Sequence, residues 1–311
     1  MEKSPFGSEK EGDERDDGEG DGEHSEWKAR LRKNKDIVIR LPRRPENRKP
    51  ITECPVFCLS FAGCGFLGTY EFGVAHAIAT HGSALYSQTI RFAGTSSGSL
   101  VATLMLFNPT KASAAAEEIY KISDDVHASP MGVFSPGFMI GDKLRRIIEK
   151  YIPDDISPAN NRLFISVTHL KTWKNEIIST YSNREELINV LMASCYHPMY
   201  STGIAGKAPV VRGESYIDGG YTNNLPEFSD VRSISISPFL GDADICPPDK
   251  SSMFTDVMMI VFNQNLKLNV ENIKRLINTL LPPPRDVLEK YYEMGKQDAT
   301  KFLKQWSMHN V

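Results

Sequence analysis

Two successive stretches of this 311-residue chain share one local grammar. Each is a short apolar run, then a glycine-bounded turn, then an apolar stretch with helical spacing. In the first, Cys54-Pro55-Val56-Phe57-Cys58-Leu59-Ser60-Phe61-Ala62 enters Gly63-Cys64-Gly65-Phe66-Leu67-Gly68, and Phe66, Tyr70, Phe72, Val74, Ala75 and Ile78 follow before Gly82. In the second, residues 90–93 reach Gly94-Thr95-Ser96-Ser97-Gly98, and residues 99–107 continue apolar. A nearly continuous apolar run is what a strand covered on both faces requires. Strand, turn and helix, used twice in a row, imply parallel strands flanked by helices, an α/β fold.

The second turn is a G-x-S-x-G. On a sharp strand-to-helix turn, that pattern lifts a serine hydroxyl to the top of the sheet. A serine held there is strained by roughly 1–3 kcal/mol, and Gly94 and Gly98 leave the room that a side chain would fill. The helix that follows aims its free N–H groups at the serine. Ser96 is the candidate nucleophile. A glycine- and serine-rich loop without chemistry is the alternative, and the flanking motifs decide between them.

The first turn, G-x-G-x-x-G after a strand and before a helix, is also the dinucleotide-binding fingerprint. That reading needs an acidic residue about 20 residues on, at the end of the second strand. The second strand ends instead in Gly94-Thr95-Ser96, which argues against a nucleotide. The other reading is an oxyanion hole, in which backbone N–H groups of Gly63, Cys64, Gly65 and Phe66 face an alkoxide on the neighbouring turn.

The histidines argue against a triad around Ser96, and Asp218-Gly219-Gly220, by itself a common turn, gains weight as a base only beside the other two motifs. A triad in the order Ser…Asp/Glu…His needs a late histidine, and after Asp218 there is only His309, near the C-terminus. His76, His81, His127, His169 and His197 sit in no motif and read as ordinary core or surface residues. Asp218-Gly219-Gly220 puts a carboxylate at a strand end, before two glycines that let another loop come close. A carboxylate that reaches Ser96 can take the hydroxyl proton directly and return it to a leaving alcohol.

The rest of the chain fills in the organisation. Residues 1–26 are rich in Glu, Asp and Gly with few large apolar groups, too few to offset chain entropy, so disorder is expected. Residues 28–49 reverse the sign, from Lys28 to Lys49. They read as a solvated linker, with an electrostatic anchor to anionic lipid as the alternative. Expected domains are a disordered acidic then basic tail over 1–50, a catalytic domain over 51–231, and a C-terminal strand and helices, 232–311, packed on the same domain. Residues 111–126 read as a helix and 127–141 as a long, partly apolar loop able to line the path of a substrate. Asp142 is expected to cap a helix over 143–151, and Asn183 one over 184–193. Alternation in Ser233-Ile234-Ser235-Ile236-Ser237 predicts a strand with one exposed face. Helices are expected over 269–281, broken by Pro282-Pro283-Pro284, and from about 284 to 306, both with apolar faces explained by core packing.

Net charge of −3 and the absence of a nucleic-acid motif exclude a nucleic-acid binder. No apolar run is long enough for a spanning helix. The N-terminus lacks an apolar signal core, and Glu2 stands where myristoylation needs glycine. Five cysteines without metal-ligand spacing read as reduced thiols in the cytosol.

Gly63-Cys64-Gly65-Phe66-Leu67-Gly68, Gly94-Thr95-Ser96-Ser97-Gly98 and Asp218-Gly219-Gly220 together resemble the three motifs of patatin-like phospholipase domains, in the form of the adiponutrin and adipose triglyceride lipase branch. Ser237-Pro238-Phe239, Asp244-Ile245-Cys246-Pro247 and Asn265-Leu266 agree with that branch. The resemblance covers roughly residues 55–305. It implies a three-layer α/β/α sandwich with a mostly parallel central sheet. Ser96 would be the nucleophile and Asp218 the base, with no histidine. Gly63, Cys64, Gly65 and Phe66 would surround the oxyanion, and Gly68, Gly94, Gly98, Gly219 and Gly220 would be motif glycines.

No metal or other cofactor is implied. The implied partner is a neutral glycerolipid at a lipid surface, triacylglycerol above all, and a protein co-activator is admitted. The protein would be cytoplasmic and peripheral at a lipid droplet or membrane. Two departures stand out: the N-terminal tail is foreign to the pattern, and the chain stops near Trp306, short of the droplet-binding region of vertebrate members. Other readings of the same site are an acylglycerol transacylase, a phospholipase or a retinyl esterase. A non-catalytic lipid-droplet binding protein is the reading from another class.

Overall fold

The computed structural model describes residues 38–40, 49–135, 137–203, 206–248, 258–261 and 264–310. The acidic stretch 1–26 lies outside them, as does the basic stretch 28–49 apart from residues 38–40 and 49. In chain order the elements are β1 (Val38–Arg40), β2 (Phe57–Phe61), α1 (Gly68–His81), α2 (Ser83–Ser87), β3 (Thr89–Thr95), α3 (Ser97–Phe107), α4 (Ala112–Ala128), α5 (Ile140–Tyr151), β4 (Leu163–His169), β5 (Asn175–Ile178), α6 (Arg184–Ser194), β6 (Val210–Val211), β7 (Glu214–Asp218), β8 (Arg232–Ile236), β9 (Met258–Val261), β10 (Gln264–Lys267), α7 (Val270–Leu280) and α8 (Arg285–Gln305).

The larger sheet links β6-β7-β4-β3-β2-β8 in that order, with β5 also on β4. β8, β2, β3 and β4 are mutually parallel, while β5 and β7 run antiparallel to β4. This is the mostly parallel α/β sheet that the two strand–turn–helix units imply. Every residue of β2 is buried, as a central strand between helix layers must be. Phe57, Leu59, Phe61, Phe92, Leu163 and Ile165 form the sheet side of the core, and Tyr70, Ile78 and Leu187 come down on it from the helices.

α8 lies along α1, and the two backbones nearly touch. A Cβ on Gly73 would sit 2.0 Å from the Tyr292 carbonyl, and one on Gly295 2.0 Å from the Tyr70 carbonyl. Only glycine at both positions permits so close a crossing.

Several local expectations change. β8 was expected to show one polar, exposed face, yet Ser233, Ser235 and Ser237 are all buried. Asp244 makes this tolerable: its Oδ2 accepts from the Ser235 amide (2.8 Å) and hydroxyl (2.9 Å), so the burial leaves no unmet donor there. Asp142 lies inside the first turn of α5, which starts at Ile140 and has Met139 at its cap position. Asn183 does cap α6, its side chain accepting from the Glu186 amide. Residues 38–40 fall within the stretch expected to be disordered, yet β1 pairs antiparallel with β9; Ile37-Val38-Ile39 is a β-branched run suited to a strand. All five cysteines are free. No described helix is long and apolar enough to cross a membrane.

Candidate active site

The register of β4 builds the site. Thr95, the last residue of β3, pairs with Ser166, and the next residue, Val167, pairs with Asp218, the last residue of β7. β5 pairs with residues 165–168. A strand has two edges, so β3 and β7 share one and β5 takes the other. β3 turns away after Thr95 and β7 takes over at Val167. Ser96 and Asp218, 122 positions apart by number, leave their strands at one seam.

Ser96 sits at φ 53°, ψ −130°, between β3 and α3. A non-glycine residue held there stores about 1–3 kcal/mol and persists only where its surroundings enforce it. Here they do. The Ser96 amide donates to Ser194 Oγ (2.9 Å), which in turn donates to the Ser166 carbonyl (2.8 Å). The Ser96 carbonyl accepts from the Ser99 amide (2.9 Å) and hydroxyl (2.6 Å). A Cβ on Gly98 would lie 2.4 Å from the Phe61 carbonyl, and one on Gly94 2.3 Å from that of Gly98. The turn exists because these two positions carry no side chain.

The glycine turn differs in detail from the expectation of four facing amides. The Gly63 N–H is engaged by the Asn224 carbonyl (3.1 Å) and the Cys64 N–H by Ser97 Oγ (3.1 Å). Cys64 Sγ also lies 3.4 Å from that hydroxyl. The Leu67 N–H is bonded to the Cys64 carbonyl (3.0 Å). Gly65 and Phe66 form the first positions of a short 3₁₀ turn, where backbone donors have no partner within the turn. Their N–H groups meet no acceptor among the described residues. Four candidate donors thus narrow to two, since Gly63 and Cys64 use theirs to fix the turn. Gly68 opens α1 against the Ser97 side chain, and Gly219 packs on the Ser166 carbonyl.

Asp218 is buried, 1% exposed, and held on three sides. Its Oδ1 accepts from the Gly220 amide (2.7 Å), its carbonyl from Thr168 Oγ1 (2.8 Å), and its own amide donates to the Tyr196 carbonyl (2.9 Å). Oδ2 has no hydrogen bond. His197 Nε2 lies 3.1 Å from it, off the line a hydrogen bond needs.

His197 carried no motif and read as an ordinary histidine. It is placed by the loop after α6, by contacts that no spacing encodes. Its Nδ1 lies 3.1 Å from the Tyr221 hydroxyl. The ring thus lies between the Tyr221 hydroxyl and the Asp218 carboxylate. Ser194, Tyr221 and Asn224 are further site residues that sequence reasoning missed, for the same reason.

Two cavities meet at Ser96. One, of about 140 Å³, is walled by apolar side chains that include Leu100, Ile119, Ile140, Leu144 and Met192. The other, of about 190 Å³, is lined by Asp218, Asn224, Gln264 and the Gly63–Gly65 turn. Gly65, Ser96, His197, Thr279 and Leu280 belong to both. Burial raises the Cys195 thiol, with the Asp218 charge adding to the effect and hydrogen bonds to Ser99 and Ser96 opposing it. A neutral thiol therefore sits beside the serine. Burial and then Asp218 also raise the Tyr221 phenol. Among the described residues, no group of three or more His, Cys, Asp or Glu side chains is gathered for a metal ion.

The family model for the patatin-like phospholipases matches residues 59–229, more than half of the chain and inclusive of both turns and Asp218. The chain belongs to the patatin-like phospholipase family. The resemblance drawn from the three motifs is thereby borne out. Patatin-like phospholipase domain-containing protein 4 of Homo sapiens is 39% identical over 79% of this chain and 95% of its own length. Patatin-like phospholipase domain-containing protein 2 of Mus musculus is 34% identical over 81% of this chain and 51% of its own length. An omega-hydroxyceramide transacylase of Mus musculus is 33% identical over 79% of this chain and 40% of its own length. The chain thus spans about half or less of the two latter proteins. Membership in this family carries the coarse function of a lipid acyl hydrolase.

Proposed function

We propose that the protein hydrolyses carboxylic esters of neutral glycerolipids, triacylglycerol above all, through Ser96 and Asp218. One observation carries this reading. A strained Ser96, the unbonded Oδ2 of Asp218 and two unbonded amides, Gly65 and Phe66, are gathered around one pair of joined cavities.

Ser96 Oγ attacks the ester carbonyl carbon while Asp218 Oδ2 takes its proton. The carbonyl oxygen, now negative, accepts hydrogen bonds from the Gly65 and Phe66 amides, each worth roughly 2.7–4 kcal/mol by analogy with other oxyanion holes. Collapse breaks the bond to the alkoxy oxygen, and Asp218 returns the proton to the leaving alcohol. Water then attacks the acyl-enzyme, giving its proton to Asp218, and the fatty acid leaves with Ser96 restored. The acyl chain occupies the apolar cavity. His197 is assigned no proton from Ser96, since its Nδ1 faces the Tyr221 hydroxyl and its Nε2 the Asp218 carboxylate.

Ser96→Ala and Asp218→Asn, each checked for an unchanged melting temperature, are expected to lower fatty-acid release from emulsified triolein by at least roughly 10³-fold. Undiminished release in either variant would sink the dyad.

A second reading is transfer of the acyl group to an alcohol. It is favoured by the second cavity, which offers an acceptor a place beside Ser96, and by the transacylase among the relatives. A labelled diacylglycerol acceptor supplied with triolein separates the two: label in triacylglycerol marks transfer, and its absence marks hydrolysis.

A further inference from the structure

Helix α7 is built inside out. Asn272 and Arg275 are buried, while Val270 (65% exposed), Ile273 (47%), Ile277 (55%) and Leu281 (51%), the residue just past its end, face outward. Residues spaced by three, four and seven lie on one helical face, so these side chains form a single apolar stripe. Polar bonds hold the helix to the body. Asn272 Nδ2 donates to the Leu240 and Lys267 carbonyls (2.7 Å each), and its Oδ1 accepts from the Leu240 amide (3.0 Å). At the C-terminal end, Tyr200 donates its hydroxyl to the Leu280 carbonyl (2.6 Å).

That end also roofs the candidate active site. The Thr279 carbonyl lies where a Cβ on Gly65 would be, and Thr279 and Leu280 line both cavities that contain Ser96. Leu280 is itself 40% exposed, so it belongs to the cavity wall and to the outer stripe at once. Across Tyr200, the exposed Phe134 stands edge-on to that ring and continues the apolar surface.

We propose that the outer face of α7, continued across Tyr200 to Phe134, docks on a lipid surface, with the mouth of the Ser96 cavity inside the footprint. The choice of a lipid occupant rests on the ester-hydrolase reading only in requiring a water-insoluble substrate that must pass from an aggregate into the cavity. The stripe itself points the same way. It is about 16 Å long and one helix wide, far less than the roughly 800 Å² per partner that a stable dimer face takes. A fluid acyl layer needs no matched shape, and an amphipathic helix lying in the interface is a known solution to this problem. Exposed apolar side chains that run on from a cavity wall mark an interaction surface.

The test uses the full chain and phosphatidylcholine-coated triolein droplets. Ile273→Glu/Ile277→Glu changes two exposed positions that line neither cavity. Flotation should show at least roughly tenfold weaker droplet binding, since burying a charge in place of an apolar side chain opposes insertion. Turnover of a short-chain ester kept below its solubility limit should be unchanged. Ile90→Glu alters an exposed isoleucine at the end of β3 remote from Ser96, and should leave both readouts alone. Unaltered flotation overturns the proposal. So does an equal loss on the soluble ester, or a wild-type dimer that the double variant dissociates, which would make the stripe a contact between copies. Droplet binding is read without turnover, so a wild type that binds droplets yet cleaves neither ester refutes the hydrolase reading and leaves the docking face standing.

Discussion

The last two helices of the chain are both amphipathic, and the molecule uses them in opposite ways. α8 turns Leu288, Tyr292, Ala299, Phe302 and Leu303 inward, onto α1. α7 turns Asn272 and Arg275 inward and leaves its isoleucines outside. Periodicity guarantees that a helix has two faces; it does not say which one the rest of the chain will cover. α1 offers α8 an apolar bed. The loop around Leu240 and the end of β10 offer α7 backbone groups in need of partners, and an asparagine meets that need where an isoleucine would leave donors and acceptors unpaired.

The comparison breaks first at α8. Leu303 is fully buried, and truncation there leaves a cavity that a closely crossed helix pair cannot collapse into. Leu303→Ala should destabilise the protein by about 2–5 kcal/mol, read from the midpoint of a urea transition. A loss near zero would mean that α8 is not part of the cooperative core.

The same two helices mark how much could be read beforehand. Most helices, the parallel core of the sheet and the placement of Ser96 and Asp218 at strand ends were legible, because glycine turns and apolar periods are local signals; the short strands β1, β6, β9 and β10 were not. The orientation of α7 was not: the face expected to pack in the core is the exposed one, and the reason lies in Leu240 and Lys267 rather than in the helix. The buried serines of β8 misled in the same way, since Asp244, which satisfies Ser235, lies beyond the strand. His197 reaches Asp218 through tertiary placement alone. Within the Gly63–Gly68 turn the motif gave four amides, and only the acceptors Asn224 and Ser97 distinguish the two engaged donors from the two open ones.

A polar residue can face inward only if it is met there, so Asn272→Ala should cost about 1–3 kcal/mol, the penalty for stranding the Leu240 and Lys267 backbone groups. The same urea midpoint measures it. A value within error of wild type would mean that α7 is held by something other than its buried asparagine.

Glu71 on α1 is the contrasting inward polar residue, fully buried with neither carboxylate oxygen hydrogen-bonded. Burial pushes its carboxyl well above the ordinary glutamate range. A carboxyl whose pKa is raised on folding contributes stability that is full below the unfolded value, about pH 4, and is lost as pH rises toward the folded value. Glu71→Gln has no proton to lose. Its stability relative to wild type should therefore rise between pH 4 and pH 8, visible as a melting-temperature gap that opens with pH. A gap that stays constant across that range would mean that Glu71 does not titrate differently in the two states.

The smallest effect is the most telling. Ile277 is an isoleucine in a helix, as Leu303 is a leucine in a helix, yet it is 55% exposed and gives up little contact when shortened. Ile277→Ala should change stability by less than about 0.5 kcal/mol, and alanine's better helix propensity can turn the sign favourable. An effect that small in water is what the proposed docking role of the α7 stripe requires. Were Ile277→Ala to destabilise the protein as Leu303→Ala should, the stripe would be core after all, and the two helices would be alike.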